Sequence, residues 1–166
     1  MLFPEEFHRT RSLAKTLRNG GLEAAIDRNF NAVIAACAAP RPRSLGTWIT
    51  PEMQAAYMEL HRRGYAHSVE AYRGMQLVGG LYGVRLGGIF FGESMFSVER
   101  DASKVALARL VDACLASGIL VIDCQLASRH LESLGSRAIP RARFQELVRA
   151  LAETAPAPLA LQACAN

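Results

Sequence analysis

Gly92-Glu93-Ser94-Met95-Phe96-Ser97 sets a carboxylate and a hydroxyl in an apolar, strand-like run. Ile122-Asp123-Cys124-Gln125 does the same with a carboxylate and an amide. A carboxylate in such surroundings is costly unless it is paired or used. Two of them on neighbouring segments point to a polar site built into a hydrophobic sheet. The site is not that of a serine hydrolase, because Gly92-Glu93-Ser94-Met95 is not G-x-S-x-G and nothing marks a histidine as its base. No P-loop and no G-x-G-x-x-G is present, so the phosphate-cradling motifs are missing. Cys37, Cys114, Cys124 and Cys164 form no C-x-x-C pair, and no histidine is spaced to complete a zinc site. No metal is expected, and a reduced, cytoplasmic protein is.

The elements that must position this site are fairly legible. A short strand is expected over 22–26. Asp27 is expected to cap a helix whose apolar face is Phe30, Val33, Ile34 and Cys37, ended by Pro40 and Pro42. Thr50-Pro51 starts a second helix with a hydroxyl cap and a proline at the first helical position. Its buried stripe is Met53, Ala56, Tyr57 and Leu60, and Gly64 closes it.

From His67 to Ser97 the period changes to that of strands. Residues 68–72 alternate, Arg73-Gly74 is a turn, 76–85 a strand, Gly87-Gly88 a turn and 89–96 a third strand, an antiparallel meander. Gly79, Gly80 and Gly83 let a ligand or another backbone approach the middle strand. A helix capped near Asp101 or Ser103 follows, with Leu107, Leu110, Val111, Cys114 and Leu115 on one face and Gly118 at its end. Ile119 to Ile122 is a continuous apolar run, expected to be a strand buried on both faces. A short helical piece over 128–134 and a helix over 141–151 complete the fold.

This order predicts an α/β fold of the acyltransferase-like kind (N-acetyltransferase superfamily). Its sheet is mixed, largely antiparallel and flanked by helices. Residues 1–153 are read as one domain and 154–166 as a flexible tail, since 166 residues favour a single core. No run approaches the ~20 apolar residues of a membrane span, so no membrane partner is expected. The N-terminus has neither the basic region nor the apolar stretch of a secretory signal. The net charge of +4 permits an anionic partner without requiring one. Arg9, Arg11, Lys15, Arg18, Arg28, Arg41 and Arg43 crowd the first part of the chain and read first as a solvated face. Acetyl-CoA enzymes of this element order carry a glycine-rich turn after the last meander strand. Here that segment is Val98-Glu99-Arg100-Asp101-Ala102-Ser103-Lys104, with no glycine.

Several ordered motifs narrow the choice. They are Gly46-Thr47-Trp48-Ile49-Thr50, Gly64-Tyr65-Ala66-His67-Ser68-Val69-Glu70, Leu77-Val78-Gly79-Gly80-Leu81-Tyr82-Gly83-Val84, and Gly92 through Ser97. Ala102-Ser103-Lys104, Ile122-Asp123-Cys124-Gln125, Ser133-Leu134-Gly135 and Ile139-Pro140-Arg141 follow. In these the chain resembles the catalytic domain of the leucyl/phenylalanyl-tRNA–protein transferase family, over most of residues 3–150.

The resemblance implies transfer of Leu or Phe from aminoacyl-tRNA to the α-amine of proteins beginning with Arg or Lys, which tags them for degradation as N-degrons. An ester gives an amide, so no ATP, metal, covalent nucleophile or cofactor is needed. The enzyme aligns amine and ester and holds the developing oxyanion.

Carried over by motif, Asp123 and Gln125 are the catalytic pair, expected to alternate on one strand and to face one site. Gln125 would position the amine, and Asp123 would orient it or assist proton transfer. The residues alone leave Asp123 equally readable as a structural partner of an arginine such as Arg141. Glu93 is assigned to the cationic acceptor or its ammonium, or else is a buried acid bonded to backbone.

Ser94 would hydrogen-bond the donor. Leu81, Phe90, Leu107 and Ile122 would line the pocket for the donor's side chain, or are plain core. Trp48 would stack on the terminal adenine of tRNA, worth ~1–3 kcal/mol, or anchor the helix at Pro51. Lys104 would meet a tRNA phosphate at a helix start, or is a solvated lysine.

Family members carry an N-terminal domain ahead of this region that closes the adenine site. The chain is expected to lack it, so that a partner chain or a second copy supplies the missing wall. The alternatives are an acyltransferase using a smaller donor, or a non-catalytic RNA- or degron-binding relative.

Overall fold

The computed structural model describes residues 1–40, 47–125 and 128–161. Arg41, Pro42, Arg43, Gly46 and Cys164, used in the reading above, lie outside the described residues.

Strands β1 (Glu23–Ile26), β2 (Ala66–Arg73), β3 (Gln76–Leu86), β4 (Ile89–Ser97) and β5 (Val121–Asp123) form one sheet in sequence order. The first four pair antiparallel and β5 joins β4 in parallel. The meander is where alternation and turn glycines predict it. Arg73 pairs Gln76 and Leu86 pairs Ile89. Gly74 and Gly87 supply the left-handed turn conformations, at φ 58° and 54°.

A parallel return needs a crossover, and helix α4 (Ala102–Ser117) provides it between β4 and β5. Helices α2 (Phe30–Ala38) and α3 (Pro51–Arg62) cover the other face. Neighbours on β3 show the division, for Leu81 packs with α4 and Tyr82 with Phe30, Val33 and Ile34 of α2. This is the mixed, largely antiparallel sheet flanked by helices that the sequence predicts.

Several local expectations are corrected. Asn29, not Asp27, caps α2, its side chain accepting from the Ala32 amide. Asp27 turns the chain at φ 55°. Its carboxylate accepts from the Ser68 amide and contacts His67 Nδ1 at 2.7 Å. Strand β2 does not alternate in exposure, because helices cover both its faces and Ser68 and Glu70 are fully buried. The stripe expected on α3 is only half-buried, with Ala56 exposed.

Leu115 on α4 and Leu120 before β5 are half-exposed, so the apolar face and the buried run are narrower than the composition suggested. Asp101 precedes α4 at φ 65° without a side-chain capping bond and pairs with Lys104 instead. Among the glycines, Gly79 serves a close helix. A Cβ there would lie 2.5 Å from that of Ala102.

The sequence reading missed α1 (Arg11–Asn19), capped by Thr10 and packed against α4. It also missed the bridge of Leu2 to Ile122 beside β5. Near the C-terminus the carbonyls of Pro156 and Pro158 accept from Arg85 and Ser117, and Leu159 is buried. Helices α5 (Arg129–Glu132) and α6 (Arg141–Leu151) lie where expected.

Candidate active site

The parallel pairing of β4 and β5 is short. Ile89, Phe90 and Phe91 pair with Val121, Ile122 and Asp123, and there the ladder stops. At the same level β4 bulges, for Gly83 pairs Gly92 but Tyr82 pairs Ser94, which leaves Glu93 as the extra residue. A bulge re-aims the side chain it carries. Where the two strands part, a cavity of about 520 Å³ opens between them.

The cavity has a polar rim and an apolar floor. Glu93, Ser94 and Asp123 lie on the rim, with Trp48 and Thr47 beside them. Leu81 of β3, Leu107 and Leu110 of α4, and Ile122 of β5 form the floor, each nearly fully buried. Met95, Cys124 and Leu131 add to it. The apolar surface suits an aliphatic or aromatic side chain, while the rim holds groups for an amine or ester.

Gln125 reaches this site differently from the strand alternation expected. Strand β5 ends at Asp123. Gln125 lies beyond it at φ 57°. Its backbone amide donates to Asp123 Oδ1 at 2.9 Å, so the aspartate fixes the turn that carries the glutamine. The Gln125 side-chain amide then donates to Glu93 Oε2 at 3.1 Å. Three side chains from β4 and the end of β5 thus meet by hydrogen bonds rather than by sharing one strand face.

Tyr57 of α3 joins them. Burial and the neighbouring Glu93 carboxylate, to which it is hydrogen-bonded, push its phenol up to about 12. It therefore stays a protonated donor at working pH. Sequence reasoning placed Tyr57 only in an apolar stripe. A polar tip at a helical core position was the one signal available.

The remaining assignments divide. Trp48 lines the cavity and is 49% exposed. Phe90 does not line the cavity. It is fully buried, and its ring fills the space where a Cβ on Gly83 would sit, 2.5 Å away. Lys104 is outside the cavity lining too, its ammonium 2.6 Å from Asp101 Oδ1.

Arg141 makes no ion pair with Asp123 among the described residues. Both line a second cavity, of about 440 Å³, that meets the first at Asp123 and also takes in Gln125 and Arg137. Burial pushes the Cys124 thiol up, which makes it a poor nucleophile at neutral pH. Among the described residues, no three of His, Cys, Asp and Glu lie together as a metal site, and no helix is long and apolar enough to cross a membrane.

Comparison with known proteins gives a consistent set of relatives. The profile of the family described as Leucyl/phenylalanyl-tRNA protein transferase matches residues 1–149. The leucyl/phenylalanyl-tRNA–protein transferase of Pseudomonas entomophila (strain L48) is 57% identical over 146 residues, 88% of this chain and 65% of that protein. That of Ectopseudomonas mendocina (strain ymp) is 56% identical over 149 residues, 90% of this chain and 66% of that one. That of Pseudomonas aeruginosa (strain LESB58) is 53% identical over 156 residues, 94% and 69% of the two. The chain spans just under two thirds of the length of the first two relatives.

Proposed function

The chain belongs to the leucyl/phenylalanyl-tRNA protein transferase family, and on that premise we propose that it transfers leucine or phenylalanine from aminoacyl-tRNA to the α-amine of proteins beginning with arginine or lysine. The observation that carries this reading is the Glu93–Gln125 contact at the rim of an apolar cavity. The donor's side chain enters the cavity over Leu81, Leu107 and Ile122. Its ester then lies at the rim, among Glu93, Ser94 and Asp123.

The acceptor amine attacks the ester carbonyl carbon. A C–N bond forms, the carbon–oxygen bond to the tRNA ribose breaks, and the ribose oxygen leaves as a hydroxyl. The amine must lose a proton on the way. Glu93 attracts the cationic acceptor, Gln125 holds the amine in line, and Asp123 orients it or assists the proton's departure. Alignment of two bound groups can supply much of such a barrier's lowering without a nucleophile of the enzyme's own.

Trp48 offers one ring face to the terminal adenine, and a further segment or a partner would cover the other. Lys104 is proposed to share its charge between Asp101 and a tRNA phosphate. Residues 1–153 act as one domain, in the cytoplasm where charged tRNA is made.

The test is turnover of Asp123→Ala and Gln125→Ala. Both should lose activity while circular dichroism shows the fold kept. Unchanged turnover in both would overturn the reading.

A further inference from the structure

Glu93 lines a third cavity as well as the first. This one, about 400 Å³, is an open groove beside the end of α3. Leu60 and Tyr65 form one wall, and Val84, Leu86 and Phe91 form the other. Val84 and Phe91 are paired across β3 and β4, which makes that wall a rigid sheet surface. Arg85 lies between Val84 and Leu86, its backbone amide donating to the Tyr65 carbonyl and its guanidinium to the Pro156 carbonyl. Among the described residues Tyr65 and Leu86 are left 50% and 41% exposed. An apolar groove beside a polar site offers room for a small apolar side chain.

We propose that this groove receives the side chain of the acceptor's second residue and selects an apolar one. The inference rests on the reading above, in which the acceptor's first residue lies at Glu93, with its amine held by Gln125, and the first cavity holds the donor. An acceptor chain leaving that position needs an exit touching Glu93. The second cavity touches Asp123 and Gln125 but not Glu93, and its lining sets Arg137 and Arg141 beside Asp123 and Glu132. The groove shares Glu93 with the site. One residue of extended chain advances only ~3.3–3.6 Å, so the second side chain is the first that can enter it.

The experiment compares otherwise identical peptides beginning Arg-Gly, Arg-Leu, Arg-Phe and Arg-Asp on the full chain. Binding is read by fluorescence anisotropy and transfer from Leu-tRNA by kcat/KM. Each is repeated with Leu86→Ser and Tyr65→Ser, whose half-exposed positions keep the fold, with thermal unfolding as the check and Leu86→Ala as the milder variant. Arg-Leu and Arg-Phe are expected to bind and react on the order of tenfold better than Arg-Gly. The substitutions should bring them to within about twofold of Arg-Gly and leave Arg-Gly itself unchanged.

Equal values for Arg-Leu and Arg-Gly, or a preference that survives both substitutions, would overturn the inference while transfer to Arg-Gly upheld the transferase reading. Absence of transfer to every peptide, with a binding preference that the substitutions abolish, would overturn the transferase reading and leave the groove standing.

Discussion

The side-chain amide of Gln125 lies 3.1 Å from Glu93 Oε2, joining the bulge of β4 to the turn after β5. The two strands have already stopped pairing there, so this contact joins them beyond the end of their ladder, with Glu93 on the cavity rim. A hydrogen bond to a charged group is worth about 1.5–3 kcal/mol. Gln125→Ala is therefore expected to lower kcat by roughly 10- to 150-fold, with KM for the tRNA little changed. Gln125→Glu should be worse, because it sets a third carboxylate beside Glu93 and Asp123. Steady-state kinetics with a peptide acceptor measures both.

Trp48 is the only tryptophan, lines the cavity and is half-exposed. Stacking on a base is worth ~1–3 kcal/mol. Trp48→Ala should raise KM for aminoacyl-tRNA by roughly 5- to 150-fold and leave kcat near its original value. Trp48→Phe should recover part of the loss. A large fall in melting temperature with Trp48→Ala would instead assign the ring to the core.

Leu107 is buried and faces the cavity from α4. Leu107→Ala is expected to cost about 2–5 kcal/mol of stability. Removing three carbons from the floor also enlarges it, so discrimination should move toward Phe over Leu by about tenfold. Urea unfolding gives the first quantity. Competition between Leu-tRNA and Phe-tRNA gives the second.

Glu70 is fully buried on β2. Its Oε1 accepts from the Ser68 hydroxyl at 2.6 Å and from the Asn29 amide at 3.2 Å, at the start of α2. Its Oε2 has no partner, and burial pushes its carboxyl above the ordinary value. The folded state therefore holds this proton where the unfolded state has released it. The stability tied to the proton is complete below the ordinary carboxylate value, ~4.3, and is lost as pH rises through the raised one. Glu70→Gln keeps an acceptor for Asn29 and removes the titration. Denaturant midpoints between pH 4.5 and 7.5 should show the variant gaining on the parent as pH rises. A constant difference would contradict the assignment.

How much could be read from the sequence depends on the range of the interactions involved. The meander was legible because turn glycines and apolar alternation are local signals. Glu93 and Asp123 were legible as neighbours because a carboxylate in an apolar run is conspicuous wherever it lies. Gln125 was placed on the strand by its spacing, whereas the strand ends two residues earlier. Only the Asp123 carboxylate, bonding the next amide but one, shows why.

Phe90 and Leu81 look alike in sequence. The register decides that one fills the space over Gly83 and the other floors the cavity. Gly79 was read as room for a ligand or another backbone, and Ala102 of α4 takes that room. Helix α1 escaped notice because it is short and mostly polar, its apolar stripe resting on little more than Leu13 and Leu17. The Thr10 cap was its best local sign.

The most direct test is transfer of labelled leucine from Leu-tRNA to a peptide beginning with Arg, against the same peptide beginning with Ala, using this chain alone. The account predicts incorporation into the Arg peptide at least tenfold above the Ala peptide, since Glu93 attracts a cationic first residue. No incorporation into either, with the chain folded, would contradict it. Equal incorporation into both would remove Glu93 as the group that reads the acceptor.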